Sequence, residues 1–440
     1  MTLSIVLQFV VVLAAIWMGA RSSGVGLGLW GAVGLLVLIV AFGVNPTSPP
    51  VDVMLIILAV IMAASVMDAA GGIDFLVRIA ERIIRANPKY VTIVAPLTTW
   101  TFTFLAGTGH IVYPLLPVIY ETAHQSGIRP ERPMAVATIA SQQAITASPV
   151  AAATAAMIGL FAEKGMTQWG LPQILMICVP ATLIGVLAAA IVSMFVGKDL
   201  KDDPEYQARL KAGLVPAPKA PEARPPLKPS AKLSAYVFLT GVALVVLFGF
   251  FPELRKLPGA KAPLAMPIVI EIVMMSVAAI MLVITRVLVD EVPKTPTLRA
   301  GVVAVIGIFG LAWLGDSFIA AHKDVIVPAI GGWANAAPWT FAFGLFFASV
   351  LLYSQAATTR ALMPLGIALG IPPQFLIAMF PSVNGYFFIP TYGSLIAAIN
   401  FDLSGTTRIG KYVLNHSFMI PGIVATAVAV VAGLFIASMI

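Results

Sequence analysis

The sequence predicts an all-α protein that crosses a membrane many times, and its composition and apolar runs carry this prediction. Apolar residues make up 60% of the 440 residues and charged residues only 10%, with a mean hydropathy of +0.98. Soluble proteins carry about 25% charged residues, so lipid is the main solvent of this chain. Runs long enough to span a bilayer occur near residues 3–20, 25–44, 52–70, 133–158, 171–196, 233–251, 263–287, 300–320, 374–400 and 412–438.

Two further apolar stretches, 91–123 and 338–370, are predicted to enter the bilayer and turn back. Their centres read AGTGH (106–110) and SQAATT (354–359), and such residues break or solvate a helix. Each stretch therefore predicts a re-entrant helical hairpin, a device found in several transporter folds. The predicted architecture is ten transmembrane helices plus two re-entrant hairpins.

The basic residues indicate the orientation in the membrane. With the N-terminus outside and the hairpins not crossing, 20 of the 26 Lys and Arg lie in inside segments, five lie outside, and Arg360 lies within a hairpin. Cytoplasmic loops carry such an excess of positive charge. Both termini are therefore expected to be periplasmic or extracellular.

One long polar segment, 197–232, divides the chain into two parts. Its second half is rich in Pro, Ala and Lys and predicts a flexible cytoplasmic linker. The parts 1–196 and 233–440 each contain five spans and one hairpin. Because five is odd, the second part must be inverted relative to the first, which predicts two inverted repeats.

The two parts also match weakly in sequence, in the same order. AGTGHIVYPLLPVI (106–119) aligns with YSQAATTRALMPLGI (353–367), and SQQAITASPVAAA (141–153) aligns with VNGYFFIPTYGSLIAAI (383–399). The second alignment pairs two prolines, each inside a predicted span. Inverted repeats with paired broken helices indicate a transport site near the middle of the membrane.

Hairpin tips and helix breaks are where we expect a substrate to bind, because they expose backbone amides and helix N-termini that attract anions. Hydroxyl groups nearby can donate hydrogen bonds to a carboxylate. The alternative is that these small residues only let helices pack closely. Four breaks, repeated in both parts, favour a site. The candidate substrate-binding residues are Gly107, Thr108, Gly109, His110, Thr146, Ser148, Pro149, Ser354, Gln355, Thr358, Thr359, Arg360, Pro390 and Thr391.

Two of these candidates carry or can acquire a charge, and each has a structural alternative. Arg360 is expected either to bind a substrate carboxylate or to pair with an intramembrane carboxylate, for which Glu271 and Asp316 are the candidates. His110 is expected either to be a hydrogen-bonded structural group or to take part in proton coupling.

Residues 73–86, IDFLVRIAERIIRA, predict an amphipathic helix along the cytoplasmic surface of the membrane. Glu81 and Arg85 form an i,i+4 pair on its charged face. These charges either anchor the helix at the interface or form, with Arg129, a cytoplasmic network that guides the transport cycle.

The sequence contains no motif for nucleotide hydrolysis or for common enzymatic chemistry. GxxxxGK[ST], HExxH, CxxC and GxSxG are all missing, and the single cysteine, Cys178, excludes an intramolecular disulfide framework. The net charge of +7 gives no indication of nucleic-acid binding. The prediction is a transporter rather than an enzyme, without a cofactor and driven by exchange or by a gradient. Na⁺ and H⁺ both remain open as coupling ions.

Seven passages in both parts of the chain carry a resemblance to a known family, the Dcu family of anaerobic C4-dicarboxylate carriers of bacteria. The passages are PPVDVML (49–55), GGIDFLVRIAERIIRANPKYVTIVAP (71–96), GTGHIVYPLLPVIYE (107–121), GIRPERPMA (127–135), IASQQAITASPV (139–150), SQAA (354–357) and FIPTYGSLIAAINFDLSGTTRIG (388–410).

The resemblance implies exchange or cation-coupled transport of fumarate, succinate, malate and aspartate across the inner membrane of a bacterium, which makes the expected side of both termini the periplasm. It also implies membership of the ion-transporter superfamily, with inverted halves, paired hairpins and a homodimer. A transport region is then expected to move against a dimerising scaffold. The family's cytoplasmic charges map onto Glu81, Arg85 and Arg129. Arg360 and Leu395 depart from the family pattern, where a small apolar residue and an aspartate are expected.

Two further departures concern the hairpin tips, which fall on residues 107–109 and 354–356 and lack the asparagine of the superfamily signature. Because Arg360 and Leu395 depart from the family pattern, substrate preference can differ from that of the fumarate and succinate carriers. The rival predictions are a carrier for another small organic anion and a transporter-like partner of a membrane sensor kinase.

Overall fold

The regular structure of the chain is helical in a computed structural model that describes residues 3–22, 24–216, 225–260 and 262–440. Within those ranges, the only β-type pairing is an isolated bridge in the loop before the last helix. The α-helices, in chain order, are α1 (Leu3–Ser22), α2 (Gly26–Phe42), α3 (Val51–Ala69), α4 (Gly72–Ala86), α5 (Val91–Ala106), α6 (Val112–Gln125), α7 (Glu131–Ile145), α8 (Ala152–Glu163), α9 (Leu171–Ser193), α10 (Pro204–Lys211), α11 (Ala231–Phe250), α12 (Met266–Thr285), α13 (Pro296–Gly307), α14 (Trp313–Ala336), α15 (Phe341–Leu352), α16 (Gln355–Ala368), α17 (Pro373–Met379), α18 (Gly393–Phe401) and α19 (Met419–Ala437).

Six helical segments of the described chain are long and apolar enough to cross a membrane. They confirm an all-helical protein of membrane character, whereas the count of ten spans stays a prediction. One of the six joins α13 to α14 through a π-helical segment, Ile308–Ala312. The six segments are Val51–Ala69, Leu171–Ser193, Ala231–Phe250, Met266–Thr285, Pro296–Val325 and Met419–Ala437.

Small residues let the helices approach closely. Gly185 of α9 faces α19, and a Cβ atom at this position would lie 2.3 Å from the carbonyl oxygen of Ala425. Gly310 of the π-helical segment faces α2 in the same way, because its Cβ would lie 1.7 Å from the carbonyl oxygen of Gly28. Close backbone contact of this kind is typical of helices packed within a membrane.

The amphipathic helix predicted over 73–86 is present as α4. Gly71, with a φ of 85°, makes the sharp turn from α3 that lets α4 run in a new direction. The buried side of α4 carries Leu76, Val77, Ala80 and Ile84, which recur at helical spacing.

Two helix pairs occupy the stretches predicted as hairpins. Helices α5 and α6 are joined by residues 107–111, and α15 and α16 are joined by Tyr353 and Ser354. Gly107 has a φ of 70°, and a Cβ atom there would lie 2.5 Å from the carbonyl oxygen of Val150, so this turn needs glycine. Tyr353 adopts a φ of 50° without being glycine. Re-entry of these pairs into the bilayer stays a prediction.

The first half of the polar segment 197–232 is folded. It forms α10, and Asp203 caps that helix by accepting hydrogen bonds from the backbone N–H groups of Glu205 (2.9 Å) and Tyr206 (3.2 Å). Part of the half predicted to be flexible, residues 217–224, lies outside the described residues. The division of the chain into two inverted repeats stays a prediction.

The last apolar run, predicted over 412–438, begins its helix only at Met419. The preceding loop is held by the buried carboxylate of Asp402. Its two oxygens accept hydrogen bonds from the backbone N–H groups of Ser404 (2.9 Å) and Thr407 (2.6 Å). Further along the loop, the N–H of Ser417 donates to the carbonyl oxygen of Arg408 (3.0 Å), and the N–H of Arg408 donates to Ser417 Oγ (2.9 Å). These bonds satisfy the backbone without a helix, so the helix begins only after them.

Candidate functional site

A cavity of about 560 Å³ lies where the turns of both helix pairs face helices α3 and α13; we call it the tip cavity. The turns contribute residues 107–110 and 353–357. The opposite wall is formed by small and apolar residues, among them Ala64 of α3 and Ala300 and Gly301 of α13. The cavity is therefore the place where two chain reversals, distant in sequence, come together.

The first turn is ordered by hydroxyl groups. Thr108 accepts a hydrogen bond through its Oγ1 from the backbone N–H of His110 (3.3 Å). Ser141 of α7 donates from its Oγ to the carbonyl oxygen of Gly109 (3.2 Å). The helical segment that begins at Gly109 and continues into α6 therefore starts at the cavity with its N-terminal end.

The second turn presents the N-terminus of α16 to the same cavity. Ser354 caps this helix, and its Oγ accepts a hydrogen bond from the backbone N–H of Ala357 (3.2 Å). Residues 354–357 all line the tip cavity. Two helix N-termini thus meet there, and each carries a partial positive charge that favours an anion.

Buried amide side chains connect the second turn to both broken helices. Gln355 Nε2 lies 2.6 Å from the hydroxyl oxygen of Tyr386 and 3.1 Å from Asn384 Oδ1. The Tyr386 hydroxyl donates to Gln142 Oε1, and Asn384 Nδ2 donates to Gln143 Oε1 (3.3 Å). We call these five residues the amide network.

The sequence reasoning missed four members of the amide network. Their signal was available, because Gln142, Gln143 and Asn384 lie inside apolar runs, where an amide is costly unless it is hydrogen-bonded. Tyr386 gave a weaker signal, since tyrosine is common in apolar segments.

The predicted breaks are present and lie close to the cavity. Residues 146–151 interrupt the helical path between α7 and α8, and Ser148 Oγ donates to the carbonyl oxygen of Phe104 (2.7 Å). Residues 388–392 form the second break, where the hydroxyls of Thr391 and Tyr353 lie 2.6 Å apart.

The structure brings only part of the predicted site to the cavity wall. Gly107, Thr108, Gly109, His110, Ser354 and Gln355 line the tip cavity. The hydroxyls of Thr358 and Thr359 instead donate to carbonyl oxygens one helical turn back (both 2.7 Å). The predicted residues outside the lining are Thr146, Ser148, Pro149, Thr358, Thr359, Arg360, Pro390 and Thr391.

Arg360 is held by two carboxylates. Its side chain is only 1% exposed, with Nη1 at 2.9 Å from Glu163 Oε2 and Nη2 at 3.1 Å from Asp316 Oδ2. Asp316 was one of the two carboxylates expected from the sequence. The other partner is Glu163, at the end of α8, rather than Glu271. We call these three residues the Arg360 cluster.

The two acidic members of the Arg360 cluster line a second cavity, of about 700 Å³. Asp52, Lys164 and Lys323 line it as well. The walls of this second cavity thus carry charges of both signs.

The tip cavity, unlike the second cavity, is lined by charge of one sign only in the described part of the chain. Among the described residues that line it, none is Asp or Glu, and the charged or titratable ones other than tyrosine are His110 and Arg299. Arg299, which is one of the 20 basic residues assigned to inside segments, was missed as a cavity-lining residue. The cavity therefore suits an anion.

Comparison with known proteins decides the family. The model of the family described as "Anaerobic c4-dicarboxylate membrane transporter" matches residues 4–440. The chain belongs to this family. It is 43% identical over 435 residues to the C4-dicarboxylate transporter DcuA of Escherichia coli K12, with 99% of each chain covered. It is 41% identical over 438 residues to the DcuA of Wolinella succinogenes, with 98% of this chain and 99% of the relative covered.

Membership of this family confirms the prediction of a multi-pass membrane transporter rather than an enzyme. The fold resembles the solved YdaH transporter of Alcanivorax borkumensis, with a TM-score of 0.58 and 12% identity, covering 92% of this chain and 89% of that one. It also resembles MtrF of Neisseria gonorrhoeae, with a TM-score of 0.50 and 14% identity, covering 93% and 84%. At such identities, the likeness is one of fold.

Among the residues that the structure describes, the charged residues of the family resemblance form two clusters, and their role in the transport cycle stays a prediction. Arg85 binds Glu81 (3.1 Å) and, on α6, Glu121 (2.8 Å). Arg129 lies in the turn after α6, where it pairs with Glu131 at the start of α7 (2.6 Å) and with Asp203 of the folded linker. We call these three residues the linker cluster.

Pairing within the linker cluster shifts the pKa values of Arg129 and Asp203. Burial opposes the charge of Arg129, but Glu131 and Asp203 outweigh it and raise the pKa of the guanidinium. Partial burial acts to raise the pKa of Asp203 too, but the hydrogen bonds from Arg129 and from two backbone N–H groups outweigh it and lower that pKa. Both groups are therefore held in their charged forms.

Proposed function

We propose that this protein transports C4-dicarboxylates such as fumarate, succinate, malate and aspartate across the bacterial inner membrane. The observation that carries this proposal is the tip cavity, which combines two helix N-termini and Arg299 and has no carboxylate among its described lining residues. The names of the relatives support the choice of substrate class.

The chemistry of the cavity suits a short dianion. Backbone N–H groups at the starts of two helices can receive one carboxylate, and the hydroxyl groups of the turns can donate to it. Thr108 and Ser354 hold those turns in shape through their own capping bonds. The apolar residues of α3 then exclude water from the short carbon chain.

The transport cycle proposed here is alternating access of the elevator type. The two turns and the two broken helices move together, because the amide network joins Gln355 to Gln142 and Asn384. The small residues of α13, among them Gly301 and Gly307, protrude little from the helix, so the turns can slide past its surface. Ten spans, two re-entrant hairpins, inverted repeats and a homodimer are part of the same proposal.

Exchange and cation-coupled uptake are both compatible with this cycle, with Na⁺ or H⁺ as the coupling ion. Both termini are placed in the periplasm, and an association with a membrane sensor kinase belongs to the proposal as well. The second candidate function is transport of another small organic anion, because the turns lack the expected asparagine.

Counterflow with the purified protein tests this function. Proteoliposomes loaded with succinate are expected to accumulate labelled fumarate, and unlabelled malate and aspartate are expected to compete. Citrate, acetate and sulfate are added as competitors to test the second candidate function. If one of them inhibits fumarate uptake more strongly than malate and aspartate do, that anion is the preferred substrate. Sodium and a pH gradient are varied in turn to identify the coupling ion. A protein that performs no counterflow with any of these anions contradicts the proposal.

A further inference from the structure

Arg299 differs from the other arginines described near the transport elements. Its side chain lines the tip cavity and is exposed there. In the described part of the chain, no hydrogen bond or ion pair engages its guanidinium. By contrast, Arg85, Arg129 and Arg360 are each bound to two carboxylates. Arg299 is thus a cation with five donors available for an incoming anion.

The backbone that carries Arg299 is fixed. Thr295 caps α13, and its Oγ1 accepts a hydrogen bond from the N–H of Leu298 (3.2 Å). Thr297 Oγ1 donates to Asp68 Oδ2 (2.7 Å) and so ties the first turn of α13 to α3. Asp68, the nearby carboxylate, is engaged by this bond and does not line the cavity. The arginine therefore projects from a fixed wall.

Arg299 shares its face of the helix with residues that also line the tip cavity. Pro296 and Val303 lie one turn before and one turn after it on that face, at spacings of three and four, and Gly307 extends the row. The hydroxyl of the neighbouring Thr297 is engaged by Asp68, so the long arginine side chain is the charged feature of this wall. The two turns line the same cavity.

We propose that Arg299 binds one carboxylate of the transported dicarboxylate while the helix N-termini at the two turns bind the other. The inference rests on the proposed function and adds a specificity-determining residue to it. An arginine can hold a carboxylate through two parallel hydrogen bonds, and a monocarboxylate cannot reach both ends of the cavity at once. Selectivity for dianions therefore comes from the α13 wall.

The position of Arg299 also determines when this contact exists. In the proposed cycle, the turns move past α13, so the arginine contacts substrate only while the cavity opens along this wall. The residue then captures and releases substrate on one side of the membrane without travelling with it. By the distribution of basic residues, that side is the cytoplasm.

The experiment compares Arg299→Gln and Arg299→Lys with Arg286→Gln. Arg286 is exposed and lies outside the lining of the tip cavity, so its variant removes an equal charge on the same predicted side. Succinate exchange is measured from that side of oriented proteoliposomes, with butyrate as a C4 monocarboxylate competitor. The melting temperature in detergent checks folding.

Arg299→Gln is expected to raise the KM for succinate about tenfold, as loss of a charge-assisted hydrogen bond predicts, with inhibition by butyrate changed less than about twofold. The KM of Arg299→Lys is expected to lie between those of Arg299→Gln and the wild type, and the KM of Arg286→Gln is expected to match that of the wild type. An unchanged KM in Arg299→Gln, or an equal loss for both classes of ligand, overturns the inference. Wild-type protein that exchanges no dicarboxylate overturns the proposed function instead.

Discussion

One arginine lines the tip cavity and another binds two carboxylates that line the second cavity, and the surroundings of the two arginines are opposite. Arg360, beside the second cavity, is 1% exposed and bound to Glu163 and Asp316. Arg299, in the tip cavity, is exposed and has no partner among the described residues. The difference teaches that an arginine within an apolar run can be neutralised by its own fold, whereas an arginine in the first turn of a helix, which looks ordinary in the sequence, is left unpaired by the described residues.

The comparison predicts its largest effect for Arg360→Ala, on stability rather than on substrate affinity. Removing the guanidinium leaves Asp316 and Glu163 close together without their cation, which costs about 3–5 kcal/mol for a buried pair. The melting temperature in detergent is expected to fall clearly, and the KM for succinate of the remaining folded protein to stay the same.

The control for this prediction also removes one of the carboxylates that lose their cation. Adding Asp316→Asn to Arg360→Ala is expected to restore part of the lost stability. A normal melting temperature together with a raised KM would instead assign Arg360 to the substrate, and the contrast between the two arginines would disappear.

The amide network gives the next largest effect. Tyr386→Phe removes the hydroxyl that bridges Gln142 Oε1 and Gln355 Nε2, and the loss of a buried hydrogen bond costs about 0.5–1.5 kcal/mol. The variant is expected to melt earlier and to exchange succinate more slowly, because the second turn is held less firmly.

A matched change at an exposed tyrosine separates this effect from loss of a hydroxyl in general. Tyr412, which is 69% exposed, is replaced by Phe and is expected to behave like the wild type. Equal behaviour of Tyr386→Phe and Tyr412→Phe would show that the amide network does not position the turn.

The smallest effect is expected at the folded linker, which lies away from both cavities. Asp203→Asn weakens the pairing with Arg129 by about 1 kcal/mol and is expected to speed protease cleavage of the linker at neutral pH. Asp202→Asn serves as the control, since no ion pair engages this exposed residue in the described chain.

The dependence on pH follows from the lowered pKa of Asp203. Because the folded pKa lies below the ordinary value of 3.8, the stabilisation is fully present above that value and is lost as the pH falls through the folded pKa. The difference between wild type and Asp203→Asn is therefore expected at neutral pH and to shrink in strong acid. A difference that grows on acidification contradicts this pairing.

The sequence was sufficient for features that depend on local composition. Apolar length predicted the membrane helices, glycine and hydroxyl residues predicted the two turns, and Pro149 and Pro390 marked the two breaks. Helical periodicity predicted α4. Each of these signals is contained in about twenty consecutive residues, so no knowledge of the fold was needed.

Contacts between residues that are distant in sequence could not be predicted in this way. Arg360 and Glu163 are 197 positions apart, and Gln142 and Tyr386 are 244 apart. Arg299 looked like one of many cytoplasmic charges, because only the packing of α13 against the cavity distinguishes it from Arg286. Ion pairing and cavity lining depend on which helices become neighbours, and the apolar pattern leaves that choice open.

The most direct test of the central claim is whether substrate occupies the tip cavity rather than the second cavity. Cysteine is introduced at Ala300, which lines the first, and in a separate variant at Ala320, which lines the second; both alanines are exposed. The native Cys178 is fully buried and is expected to stay unlabelled by a polar thiol reagent. Succinate is expected to protect Ala300→Cys from labelling and to leave Ala320→Cys unprotected. Protection at Ala320→Cys alone, or at neither position, would contradict the assignment of the site.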